Sequence, residues 1–348
     1  MDDASDSLRS SEGWRRARTE AINNFVSDFA RSDNADLLAE MMVTISRLAG
    51  DAVSRGDLKI LNTALKELRY AFKMFTPFAE VPKVSIFGSA RTPEDHPQYQ
   101  EARKFAELIQ REGWMVITGA GDGIMRAGHH GATRDSSFGV AISLPFEQAT
   151  NNIITGDPKL VQFKYFFTRK LIFVKEARAI VLFPGGYGTQ DEGFEGLTLV
   201  QTNKSPPLPI VLCDEPGGTY WQHWRTYVKA ELLGNRMIDP ADMNLYYVTD
   251  RAEDAVAEIL RFYRRFHSAR TVGDRMVFRL NSPLPAGLLD KINGQFLDIL
   301  SGGKFEQWER PLEAENGVLP DKARLVFAFD QRSAGKLRLL INTINDAP

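Results

Sequence analysis

ARAIVLFPGGYGTQDE, residues 177–192, runs from a short apolar segment through a Pro-Gly-Gly turn to a stretch that ends on a carboxylate. An apolar run of this length, bounded by turn residues, reads as a buried strand. Glycine at 185, 186 and 188 lets backbone N–H groups approach an anion closely, and a following helix adds its positive end. Phosphate is the ligand that suits such a turn. If the helix begins near Thr189, Glu192 lies beside the turn, where a carboxylate is poor design for binding an anion and suggests chemistry. Thr189-x-x-Glu192 also fits a capping box, in which Glu192 serves the helix end.

The same grammar recurs on both sides. VPKVSIFGSA (81–90), WMVITGAGDGIM (114–125), FGVAISLPF (138–146) and LPIVLCDEP (208–216) are apolar runs, several ending in glycine or small polar residues, with helical stretches such as QYQEARKFAELIQREG (98–113) between most of them. Apolar strands alternating with helices predict a Rossmann-like α/β fold, a parallel sheet with helices on both faces, over residues 81–271. Before it, residues 1–80 carry apolar residues at helical spacing, clearest in LLAEMMVTISRLAG (37–50) and LKILNTALKELRYAFKMF (58–75), and read as an N-terminal helical layer. After it, DRMVFRL (274–280) and ARLVFAFD (323–330) read as strands and AGLLDKINGQFLDIL (286–300) and SAGKLRLLINTI (333–344) as helices, giving a small α+β appendage over 272–348.

Composition narrows the function. The 348 residues include 43 basic and 45 acidic side chains, so no global field favours a nucleic acid. The single cysteine, Cys213, can form neither an internal disulfide nor a thiolate metal cluster. No long apolar run and no apolar leader stand in the sequence, so the expectation is a cytoplasmic protein without a membrane segment. Glycine turns follow three strands, at Gly88–Ser89, at Gly119, Gly121 and Gly123, and at Gly185–Thr189, where open parallel sheets bind ligands. Ile124 stands where a dinucleotide fingerprint needs glycine, and no segment matches a Walker P-loop. His129 and His130 are adjacent, hence about 100° apart on a helix, and no acidic residue is spaced to join them as metal ligands.

PGGYGTQDE resembles the PGGxGTxxE signature of the Lonely guy (LOG) family of phosphoribohydrolases. FFTRKLIFVKEARAIVLF (166–183) resembles the family's Arg-Lys pair ahead of the strand, VSIFGSAR (84–91) its first strand and turn, and GAGDGIMRAGHHGA (119–132) its GGGxGIM segment. LPFEQ (144–148) stands where the family places a substrate-contacting glutamate. The resemblance implies a homodimer that hydrolyses the N-glycosidic bond of a nucleoside 5′-monophosphate, AMP-like or a cytokinin nucleotide, without cofactor or metal. It implies Arg169 and Glu192 as the catalytic pair, Gly185, Gly186, Gly188 and Thr189 as the phosphate site, and Lys170, Glu147 and Thr198 as further contacts. Gly88, Ser89, Gly121 and Met125 should border the nucleotide. Such proteins are often labelled lysine decarboxylases, yet nothing in the resemblance supplies the Schiff-base lysine and its partner that pyridoxal phosphate needs. Two other readings stand beside hydrolysis: a non-catalytic mononucleotide sensor, and an assembly protein with a vestigial site. Gly193, just behind Glu192, is unexpected in a helix, where it costs about 1 kcal/mol.

Overall fold

A computed structural model of the protein describes residues 13, 16–17, 19–26, 34–143 and 150–348. The chain divides into two units, one up to Leu65 and one from Lys66 onward. The first contains α1 (Ala35–Arg47) and the start of α2 (Arg55–Phe75). In α1 Leu37, Leu38, Met41 and Ile45 recur at helical spacing and are exposed. The division falls within α2, earlier than the boundary expected at 80.

In the second unit, a Rossmann-like sheet is built from β1 (Lys83–Phe87), α3 (Pro97–Arg111), β2 (Met115–Thr118), α4 (Ile124–Ala132), β3 (Ser137–Ile142), β4 (Leu160–Phe163), α5 (Phe166–Glu176), β5 (Ala179–Leu182), α6 (Tyr187–Gln201), β6 (Ile210–Cys213), α7 (Tyr220–Tyr227), β7 (Tyr246–Thr249) and α8 (Ala252–Phe262). Among the described residues seven strands pair in the order β4-β3-β2-β1-β5-β6-β7, all parallel. Alternation along each strand divides the core between two faces. Val84 and Ile86 of β1 and Ala179 and Val181 of β5 pack with α3, α4 and α8. Phe87, Ile180 and Leu182 turn the other way, onto Phe75, Phe173 and Trp221.

Local signals explain the helices. His96 caps α3 by accepting from the Gln98 N–H at 3.1 Å, Pro97 opens it, and Tyr99, Ala102, Phe105, Ala106 and Ile109 form its buried stripe. Gly131 lies where α4 crosses α3 so closely that a Cβ there would stand 2.0 Å from the Arg103 carbonyl oxygen. Gly193 meets a milder limit: α6 passes over β5, and a Cβ would stand 2.9 Å from Leu182 Cδ2, the end of a side chain. At Gly131 packing against backbone, not helix propensity, selects glycine.

Beyond α8 come β8 (Phe266–Val272), β9 (Arg275–Leu280), α9 (Leu288–Gln295), β10 (Leu300–Trp308), β11 (Ala323–Phe329) and α10 (Ala334–Asp346). Their antiparallel order is β10-β11-β9-β8, with Phe278, Phe305, Leu325, Phe327 and Phe329 packed on Leu337, Leu340, Ile341 and Ile344 of α10. This sheet starts at Phe266, before the boundary expected at 272, because β8 pairs with β9. Asn345, fully buried, fastens the junction: its Oδ1 accepts from the N–H groups of Arg265 and Phe266 at 2.8 and 2.9 Å, and its Nδ2 donates to the Phe262 carbonyl at 2.6 Å. Among the described residues no helix is long and apolar enough to cross a membrane.

Candidate functional site

β1 lies at the centre of the sheet, and the chain order reverses between β1 and β5. Connections leaving these neighbours part in opposite directions and open a crevice at the strands' carboxyl ends. The last links between them are Phe183 N–H to Phe87 O at 2.8 Å and Ser89 N–H to Pro184 O at 3.1 Å. The turn after β2 sits on the same crevice. Gly123 has φ +60°, and a Cβ there would stand 2.2 Å from the Ser89 carbonyl oxygen, which accepts the Ile124 N–H at 3.0 Å. Glycine is required both by its backbone angle and by the approach.

Ala120, in the middle of that turn, holds φ +63°, a left-handed conformation costly for a residue with a Cβ. Buried side chains hold it there. Thr118 Oγ1 accepts the Ala120 N–H at 3.0 Å, and Asn151 Nδ2 donates to the carbonyls of Ala120 and Gly121 at 3.0 and 2.9 Å. His129, fully buried, backs Asn151. Its Nε2 is 3.1 Å from the Phe138 carbonyl oxygen, which can only accept, so Nε2 carries the proton, and Nδ1 lies 3.1 Å from the Asn151 amide nitrogen. Burial pushes the His129 pKa down, and the ring stays neutral. Among the described residues no cluster of His, Cys, Asp or Glu is arranged to hold a metal ion.

The turn after β5 completes the site. α6 begins at Tyr187 rather than near Thr189, with Gly186 as its N-cap and no side chain capping it. Its first intrahelical bond is Gln190 N–H to Gly186 O, 3.1 Å, so the earlier N–H groups of the turn are free of the helix ladder. Glu192 therefore stands in the second turn, and the capping-box reading falls. These turns enclose a cavity of about 1060 Å³.

Glu192 is 6% exposed, and its Oε1 lies 3.6 Å from Arg169 Nη2. Burial raises its pKa to about 7, against the lowering pull of Arg169 and Lys170. Arg169 comes from α5, its guanidinium over the rings of Phe166 and Phe173 at 5.0 and 5.6 Å. Its Nε is buried and has no hydrogen-bond partner among the described residues. The site thus holds a poorly solvated carboxyl group beside an arginine with donor capacity to spare.

Of the residues expected from sequence, Gly88, Ser89, Gly121, Met125, Arg169, Gly185, Gly186, Gly188, Thr189 and Glu192 all line this one cavity. Lys170 and Thr198 do not. Lys170 Nζ is held by Asp191 at 2.9 Å and Glu195 at 3.0 Å; burial acts to lower its pKa, but those hydrogen bonds outweigh it and the ammonium is favoured. Thr198 is exposed farther along α6. Glu147 lies outside the described residues. Sequence reading missed Gln190, which lies inside the quoted signature, and Tyr220, which opens α7; both line the cavity. Only the pairing of β6 with β5 brings Tyr220 there, and no local signal encodes that.

The family model described as possible lysine decarboxylase matches residues 117–259, from the end of β2 to α8. Those residues are a LOG-family domain. Comparison with curated proteins finds no match. Among solved structures, this chain is similar to the molybdenum cofactor binding protein of Rippkaea orientalis, at 16% identity and TM-score 0.37, covering 51% of this chain and 94% of that one. It is similar to the Moco carrier protein of Chlamydomonas reinhardtii, at 19% identity and TM-score 0.35 with 51% and 94% covered. It is also similar to DNA processing protein A of Helicobacter pylori, at 14% identity and TM-score 0.36 with 53% and 84% covered. Likeness at this level assigns this chain neither a ligand nor an activity.

Proposed function

We propose that this protein hydrolyses the N-glycosidic bond of a nucleoside 5′-monophosphate, releasing the base and ribose 5-phosphate. The observation that carries the reading is the pairing of buried Glu192 with Arg169 in the same cavity as the glycine turn that opens α6. The N–H groups of that turn and the helix's positive end would take the 5′-phosphate. As the base departs, the sugar gains oxocarbenium character, and an ionised Glu192 would stabilise charge at C1′ and take a proton from the attacking water. A pKa near 7 suits that task, because the group is basic enough to accept a proton and still ionises at neutral pH. Arg169 cannot serve as the acid; its donors would fix the ribose or phosphate and hold Glu192. Amine chemistry on Lys170, which the label lysine decarboxylase would invite, is disfavoured by its two carboxylate partners.

The test is incubation of the purified protein with a panel of nucleoside 5′-monophosphates, including a cytokinin nucleotide, with chromatography of the free base and Glu192→Gln as control. Base release that disappears in the control supports hydrolysis and identifies the base. Binding without release across the panel overturns it in favour of a nucleotide sensor.

A further inference from the structure

The Gly185–Gly186 peptide is the first of the turn, and something outside the signature sets which way it faces. Tyr220, the first residue of α7, donates its hydroxyl to the Gly185 carbonyl oxygen at 2.5 Å. Gln190 Nε2 lies 2.7 Å from the same hydroxyl. The Gly185 carbonyl can only accept, so the tyrosine proton points to it, and Gln190 must present its amide N–H to the tyrosine oxygen. Each bond polarises the next. The tyrosine itself is anchored: its ring stands edge-on to Trp221 at 4.8 Å, and Trp221 is buried with its indole N–H on the Cys213 carbonyl at 3.1 Å, at the end of β6.

A trans peptide places its C=O and N–H antiparallel. A Gly185 carbonyl drawn to Tyr220 therefore turns the Gly186 N–H to the opposite side. Two glycines in succession leave this peptide free to rotate, and a rotated peptide would present a carbonyl oxygen to an anion in place of a donor. We propose that Tyr220, steadied by Gln190, is a positioning residue that fixes the Gly185–Gly186 peptide in its donor-out orientation and so sets the affinity of the turn for the substrate's phosphate. The proposal rests on the reading of that turn as the phosphate cradle.

The full-length protein and its Tyr220→Phe and Gln190→Ala variants are titrated with ribose 5-phosphate and with adenosine, which has no phosphate, and thermal melts are recorded beside them. Tyr220→Phe keeps the ring and its packing, and ribose 5-phosphate affinity should fall about tenfold, the scale of one lost hydrogen bond. Gln190→Ala should lose about threefold, while adenosine affinity stays within about twofold in both. With nucleotide substrates the loss should appear in KM more than in kcat. An unchanged ribose 5-phosphate affinity in Tyr220→Phe overturns the proposal, as does an equal loss for adenosine, which would mark a general distortion. A native protein that binds no ribose 5-phosphate removes the cradle and the proposal together. Binding without base release instead removes the hydrolase reading alone, and the variants still decide the role of Tyr220.

Discussion

Glu192 carries opposite consequences for stability and for activity. Its folded pKa of about 7 stands above the ordinary 4.5, so between those values the folded state holds a proton that the unfolded state has released. Stability contributed by the protonated group is fully present below pH 4.5 and is lost as pH rises toward 7. That span corresponds to about 3 kcal/mol. Glu192→Gln should match the native protein's denaturant midpoint at pH 4 and exceed it at pH 8 by up to this amount, with base release falling by a factor of about 100 to 10,000. On the proposed hydrolase reading, kcat/KM of the native protein should rise with pH through about 7, because the ionised carboxylate is the form that takes the proton. A falling profile would instead make Glu192 a proton donor. Asn151 tests a different cost: Asn151→Ala strands the carbonyls of Ala120 and Gly121, and should destabilise by about 2 kcal/mol or more in urea unfolding. The catalytic candidates were legible because they sit in contiguous signatures. Asn151 and Tyr220 were not, because their partners are backbone carbonyls whose orientation no composition or spacing encodes; Gln190 stands inside a signature, but its partner, the Tyr220 hydroxyl, is 30 residues away in the chain.

At the scale of elements, the central strands declared themselves because both faces are buried: AIVL is wholly apolar, and KVSIF carries Val84, Ile86 and Phe87 among its five buried residues. β4 and β7 escaped notice for the converse reason: they are four-residue edge strands, and LVQF and YYVT are only partly buried. β10 was hidden by SGGK, which looks like a loop, yet the chain bulges between Leu300 and Glu306 and stays in the sheet. Helix crossings were equally invisible, since a glycine in a helix reads as a weakness until its neighbour is known. Gly131→Ala gains helix propensity of about 1 kcal/mol but sets a Cβ against the α3 backbone, and should destabilise by about 1–3 kcal/mol net. Calorimetric melting would register it, and an unchanged melting temperature would show that α3 and α4 separate freely. Lys170→Ala breaks the tie from α5 to α6, and nucleotide affinity should change by less than about threefold. A tenfold loss would restore Lys170 as a substrate contact.

For the molecule from Lys66 onward, the second sheet is joined to the first through groups that neither can leave exposed. Glu258 of α8, buried, pairs with Arg338 of α10, while Asn345 gathers the backbone at the turn into β8. A chain ending near residue 265 would take Arg338 from Glu258, leaving it Arg261 alone, and would uncover Phe262, so it should be recovered largely aggregated, even though it retains every cavity residue. On α5, Phe166, Phe167 and Leu171 are about half exposed, at 51%, 56% and 47%, and we propose that this face pairs with a second copy, as the family resemblance implies. Phe167→Asp should halve the mass measured by light scattering.

The reversal of strand order also orders events in time. The crevice needs the turn at residues 88–89, the turn at 184–186 and, between them, three strands laid outward to the sheet's edge before the chain returns to its centre. On a ribosome, the first half of the sheet emerges with β1 flanked on one side only and nothing for an anion to grasp. A nucleotide in the surrounding solution therefore cannot stabilise the nascent chain until the segment through Tyr220 is out, so ligand rescue of a folding-defective variant should work on the released protein and fail on chains stalled earlier.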